Sequence, residues 1–195
     1  MRARLASRNP HKLAELRRAL PAWELDLADA SPYPPESGAT YVENARGKAR
    51  HALRFSPPGV WVVGEDSGIE VRALGGAPGL HSARWAEDGV GRLLERLDGV
   101  DDRAARYVCV LVAVSAGGQE LVGEGVLVGR IEGPPRGSGG FGYDPIFAPA
   151  GETLTVAELG DAWKSEHSHR ARAAAALAAA AAGLLDQPGG GLVVR

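Results

Sequence analysis

RARLASRNPHKLAELRRAL, residues 2–20, reads as a strand, a polar turn and a helix in immediate succession. Arg2 to Ser7 forms a short strand, and Leu13, Leu16 and Leu20 recur at helical spacing to mark one buried stripe. Asn9 suits the N-cap and Pro10 the first helical position, where its missing N–H breaks no helical bond. A helix that starts straight after a strand turns unpaired backbone N–H groups and the positive end of its dipole outward, which makes an anion site. Lys12 lies on that first turn. The strand-to-helix opening therefore indicates an α/β protein with a ligand-binding loop at a sheet end.

The rare residues support this reading. The chain has 19 arginines but only three lysines, Lys12, Lys48 and Lys164, and only two asparagines, Asn9 and Asn44. A lysine kept where arginine supplies almost all other positive charge suits a compact point charge facing a phosphate, although a coding bias gives the same count. Asn44 and Lys48 are four residues apart and share a helix face. With 195 residues, 45% apolar composition and a net charge of -2, the chain has material for one compact unit and lacks the basic excess of a nucleic-acid coat. Its single cysteine, Cys109, allows no intrachain disulfide and suits a reducing compartment. No long apolar run marks a membrane span, so the expectation is a cytoplasmic protein that engages neither membrane nor nucleic acid.

Further along, Trp23 to Leu27 reads as a strand, Ser31 to Gly38 as a Pro-rich loop, and Thr40 with Glu43 as a capping box opening a helix to about Phe55. Glu43 is expected to cap first and to help orient Lys48 second. Val60 to Gly64 is an apolar strand ending at Glu65, Asp66, Ser67 and Gly68. Asp88 to Leu97 is helical, Tyr107 to Ser115 and Glu120 to Ile131 form a hairpin, and an alanine-rich helix runs from about His169 to Leu185. A loose tail covers about 187–195, within a single domain of 1–195.

Three groups carry chemistry. Glu65 and Asp66 are expected to emerge together at a sheet end, where paired hard oxygens suit Mg²⁺ shared with substrate phosphates, with Glu36 as a further donor; a solvated turn capped by Asp66 is the plainer alternative. GGFGYDPIF, Gly139 to Phe147, combines a close-approach loop with the aromatic rings of Phe141 and Tyr143, which offer stacking faces to a nucleobase or else fill the core behind a tight turn. Lys164, Ser165, Ser168, His169 and Arg170 gather just before or at the start of the alanine-rich helix, a second place for phosphate or a base edge.

Taken in order, ASRNPHK (6–12), ESGATYVENARGKA (36–49), EDSG (65–68), LGGAPGLHSARW (74–85), GGFGYDPIF and KSEHSHR (164–170) resemble the inosine/xanthosine triphosphate pyrophosphatase family, from Leu5 to about Arg172. The resemblance implies a mixed α/β fold with an elongated central sheet, flanking helices, two lobes around a substrate cleft, and a homodimer. It places Ser7, Arg8, Asn9, Pro10, His11 and Lys12 in a triphosphate loop, Asp66 as metal-binding acid or base, and Ser67 on substrate. Phe141, Gly142, Tyr143 and Asp144 match the base and ribose segment, and Lys164, His169 and Arg170 the surroundings of base and phosphates. Ser7, Glu65 and His81 depart from the residues commonly found at those positions.

The function so implied is Mg²⁺-dependent hydrolysis of ITP, dITP or XTP to monophosphate and pyrophosphate. Asp66 and Lys48 are the catalytic candidates, and Asp66, Glu36 and Glu65 the metal ligands. The rivals are a pyrophosphatase for modified pyrimidine or standard nucleotides, and a nucleotide sensor without turnover.

Overall fold

The computed structural model describes residues 1–185; the tail expected at about 187–195 lies outside the described residues. Strands β1 (Arg2–Ala6), β2 (Glu24–Leu27), β3 (Trp61–Val71), β4 (Ala104–Val114), β5 (Glu120–Ile131) and β6 (Phe147–Pro149) form one sheet in the order β2-β1-β3-β4-β5-β6. β1 runs parallel to β2 and β3, and the remaining neighbours are antiparallel, so the sheet is mixed. Helices α1 (Pro10–Ala19), α2 (Tyr41–Leu53), α3 (Gly89–Arg96), α4 (Val156–His167) and α5 (His169–Leu185) flank it.

Strand alternation sorts the core by face. Leu5, Val63, Cys109 and Leu111 pack with α1 and α5, whereas Val62, Val108, Val110 and Val112 lie with Ala45 and Ala49 of α2. A third cluster, built on Ile69, Tyr107, Leu127, Tyr143, Ile146 and Phe147 with Leu93 and Val156, fills the far end of the long hairpin. Glycines let helices approach the sheet closely. A side chain on Gly64 would overlap the Ala45 carbonyl oxygen, and one on Gly123 or Gly125 would strike the α5 backbone.

One register detail positions the site. The last β1–β3 pair is Ala6↔Gly64, so β1 stops there while β3 continues beside β4 to Val71. Glu65 and Asp66 are therefore mid-strand residues rather than the end of a strand. They occupy the step left where β1 turns away into the Ser7–Asn9 loop. Expected and observed bounds otherwise agree within a few residues, except that α4 and β6 were not expected. Among the described residues no helix is long and apolar enough to cross a membrane.

Candidate active site

The loop after β1 is held open by its own polar groups. The Asn9 amide donates to Ser7 Oγ at 3.1 Å, and Asn9 Oδ1 accepts from the His11 amide at 2.9 Å, capping α1 with Pro10 at its start. From the first turn of α1, Lys12 reaches Glu65 Oε2 at 2.5 Å.

Alternation along β3 separates the two carboxylates that stand together in sequence. Glu65 faces α1 and α5: Lys12 holds one of its oxygens, and Arg170 Nη2 donates to the other at 3.0 Å. Burial alone would raise its pKa, but Lys12 and Arg170 outweigh burial and hold it well below the usual carboxylate range. Paired with two cations on the opposite face of β3 from Asp66, Glu65 fits an ion-pair anchor rather than a second metal ligand standing beside Asp66.

Asp66 faces α2. The Thr40 cap starts that helix, and Glu43 accepts from the Ala39 amide at 2.7 Å, so Glu43 serves the cap while Lys48 is oriented by other groups. Asn44 Nδ2 donates to Asp66 Oδ2 at 3.0 Å, and Lys48 Nζ bridges Asp66 Oδ1 at 3.2 Å and Glu36 Oε1 at 2.7 Å. Burial raises the Asp66 pKa against the opposing pull of Lys48 and Asn44. Burial would lower Lys48, but Asp66, Glu65 and Glu36 keep it raised and hence charged.

Glu36 and Asp66 thus already share one cation between hard oxygens, a donor set that fits Mg²⁺. Among the described residues no three His, Cys, Asp or Glu side chains gather into a metal cage. The remaining positions of such an ion would fall to water and phosphate oxygens, as is usual for Mg²⁺.

The C-terminal groups converge on the same step. Lys164 lies in the last turn of α4, just before the alanine-rich helix as expected; its ammonium contacts Asp144 Oδ2 at 2.7 Å and Glu15 Oε1 at 2.6 Å. Arg170 is fully buried, with Nη1 paired to Glu15 and Nη2 also reaching Ser67 Oγ at 3.2 Å. Asp144 further accepts from the Phe141 amide and from Tyr107 Oη, fixing the glycine-rich loop. His169 stacks on Tyr107 at 4.5 Å and 10°. Burial, and then Arg170, push its pKa well below 6.5, so the ring is neutral.

The half-buried Phe141 has Lys164, Arg170 and His11 around its ring. Tyr143, expected as a second stacking face, lines the base compartment while most of its ring is buried on the far-end core, its hydroxyl donating to Ser82 O at 3.0 Å. His81 is exposed and borders neither compartment of the cleft.

Those compartments meet at Lys12. One, a cavity of about 460 Å³, is lined by Ser7, Arg8, Lys12, Glu36, Lys48, Glu65 and Arg84. The other, about 170 Å³, lies among Asn9, Ser67, Phe141, Gly142, Asp144, Lys164, His169 and Arg170, and again Lys12. Two buried polar atoms at the second, His169 Nδ1 and Arg170 Nε, have no hydrogen-bond partner among the described residues. The arrangement accepts a polyanion on one side of Lys12 and a flat polar group on the other. Glu15 was missed in the sequence, although its position three residues after Lys12 puts both on one face of α1.

A family model described as the Ham1 family matches residues 3–180. The chain is 47% identical over 185 residues to a dITP/XTP pyrophosphatase of Mycobacterium tuberculosis strain H37Rv, covering 87% of this chain and 89% of that protein. It is 46% identical over 184 residues to a protein of the same name from Ralstonia nicotianae, at 87% and 90% coverage. The Staphylococcus aureus Ham1 protein superposes with a TM-score of 0.81 at 33% identity, covering 94% of this chain and 99% of that one.

Proposed function

The chain belongs to the Ham1 family, and from that premise we propose that it hydrolyses inosine and xanthosine triphosphates, deoxy forms included, to the monophosphate and pyrophosphate in a Mg²⁺-dependent reaction. The observation that carries this reading is the pair of compartments joined at Lys12, one cationic and one lined by Phe141, His169 and Arg170. The names of its relatives, dITP/XTP pyrophosphatases, support the same substrate class.

Lys12 and Lys48, beside the loop after Ser7, hold the triphosphate and the charge that grows on the leaving pyrophosphate. Asp66 accepts the proton of the attacking water, its basicity raised by burial and its orientation fixed by Asn44. Glu36 and Asp66 would hold a magnesium ion, which when bound would supply charge neutralisation at the phosphate oxygens and a more acidic water. The α–β phosphoanhydride bond breaks and the water oxygen completes the new phosphate.

Selection of the base rests on Arg170 Nε, which can only donate. A 6-oxo purine offers it a carbonyl oxygen; the 6-amino group of adenine leaves it buried and unpaired, a loss that a polar pocket discriminates strongly, so this contact sets ITP and XTP apart from ATP, while GTP shares the same carbonyl. Phe141 supplies the stacking face. A second copy of the chain on the outward face of β5, where Val122 and Val128 are exposed, completes the proposal as a homodimer.

The test is incubation of the protein with ITP, XTP, GTP, ATP and a pyrimidine triphosphate, with and without Mg²⁺, measuring pyrophosphate apart from orthophosphate. Metal-dependent pyrophosphate release confined largely to ITP and XTP is expected. Orthophosphate release would place the cut at the terminal phosphate, and tight binding without turnover would make the protein a sensor.

A further inference from the structure

Arg84 is the cation of the cleft to which neither the sequence motifs nor the mechanism gives a task. It follows the 3₁₀ turn Gly79–His81, and its neighbours Ser82 and Ala83 border the base compartment while Arg84 itself borders the anion compartment. This short segment therefore passes both compartments, as Lys12 does from the loop after β1. The side chain is 44% exposed, and only Nη1 is engaged, by one oxygen of Glu36. Among the described residues Nε and Nη2 have no hydrogen-bond partner, so the guanidinium fork is only partly used. The other Glu36 oxygen belongs to Lys48.

A half-exposed ion pair contributes little, because water screens it and ordering two side chains opposes it. Phosphate oxygens accept two parallel N–H bonds from a guanidinium and carry more charge than one carboxylate, so they compete well for Arg84. Glu36 borders the anion compartment and not the base compartment, which puts the Arg84 head on the side away from the base.

Resting on the reading of this cleft as a triphosphate site, we propose that Arg84 is a substrate-binding residue that exchanges Glu36 for the distal phosphates of the incoming nucleotide. The exchange also releases one oxygen of Glu36 from its cation. Glu36 thus serves as a placeholder for phosphate between Arg84 and Lys48, and the segment 82–84 couples occupation of the two compartments.

The experiment is calorimetric titration of the full chain, with chelator and no divalent metal, using inorganic tripolyphosphate in one series and IMP in another, for wild type, Arg84→Gln and Arg84→Lys. Arg84→Gln is expected to weaken tripolyphosphate by about tenfold or more while IMP affinity stays within about twofold, and Arg84→Lys is expected to recover part of the loss because it restores charge without the fork. Tripolyphosphate affinity unchanged in Arg84→Gln, or an equal loss for both ligands, would overturn the proposal. If wild type binds tripolyphosphate through Arg84 but releases pyrophosphate from no nucleotide, the enzyme reading falls and the Arg84 subsite stands. If Arg84→Gln binds tripolyphosphate as wild type does while ITP is still hydrolysed, the subsite alone falls.

Discussion

At Asp66 burial and the two carboxylates Glu36 and Glu65 favour the protonated form, and Lys48 with Asn44 only partly opposes them; at Glu65 burial acts in the same direction but Lys12 and Arg170 prevail. In the proposed reaction the proton-accepting role therefore falls to Asp66 and the anchoring role to Glu65. Asp66→Asn keeps the side-chain shape, and is expected to fold, to bind nucleotide within a few-fold of wild type and to lose about 10²- to 10⁴-fold in turnover. Pyrophosphate release beside calorimetric binding checks this, and wild-type turnover would reject the role. His169 supplies a separate signature in stability. Its folded-state pKa lies well below the ordinary 6.5, so below pH 6.5 the unfolded chain takes a proton that the folded chain refuses. This contribution is complete above that value and is lost on acidification at about 1.4 kcal/mol per pH unit until the folded-state pKa is reached. His169→Phe preserves the stack on Tyr107 and removes the titration. Urea midpoints at pH 7.5 and 5.5 should show the variant gaining on wild type by about that amount per unit below 6.5; an unchanged difference between the two would show that His169 does not titrate as stated.

The elements reveal how much of this was written locally in the chain. β1, the Asn9–Pro10 cap and α1 were legible because each depends on neighbours in sequence, and the Thr40 cap of α2 and the long hairpin were legible for the same reason. β3 was cut short because Glu65, Asp66 and Gly68 look like a turn, and only distant partners make charges tolerable inside a strand: Lys12 is 53 residues from Glu65, and Arg170 is 105 away. The split of the two carboxylates follows at once when the strand is extended through them. α4 was hidden by Gly160, whose φ of 77° interrupts the helical period, although Thr155 and Glu158 form a capping box that marks its start. β6 is three residues long and exists only through its pairing with β5. Gly64 shows the same dependence in one atom. It brings α2 close enough for Asn44 and Lys48 to meet Asp66, and a methyl there would overlap the Ala45 backbone. Gly64→Ala is expected to cost about 1–3 kcal/mol or more by forcing apart two backbones that cannot yield as side chains do. Turnover should fall with it as α2 shifts. A chemical-denaturation midpoint equal to wild type would show that α2 accommodates the methyl.

Across the whole molecule, α2 covers the outward face of β4 but leaves that of β5, where Val122 is 42% and Val128 53% exposed with Val126 partly buried between them. Alternation puts these three valines in one row with Glu120 before them and Glu124 between Val122 and Val126. A row of this kind suits an isologous contact in which two copies meet about a twofold axis, each covering the other's valines. On the proposed dimer, Val128→Glu would place a carboxylate against the same patch of the partner, twice by symmetry, where burying unpaired charge is strongly unfavourable. Light scattering should then report a dimer for wild type and a monomer for Val128→Glu. Circular dichroism should be unaltered, since the substituted side chain leaves the core of its own protomer untouched. Because the proposed catalytic groups Asp66 and Lys48 and the proposed phosphate-binding Lys12 come from β3, α2 and α1 of one chain, the monomeric variant is expected to keep turnover within a few-fold at high enzyme concentration. Wild type that scatters as a monomer would reject the assembly, and a dimer unaffected by Val128→Glu would move the contact to another face.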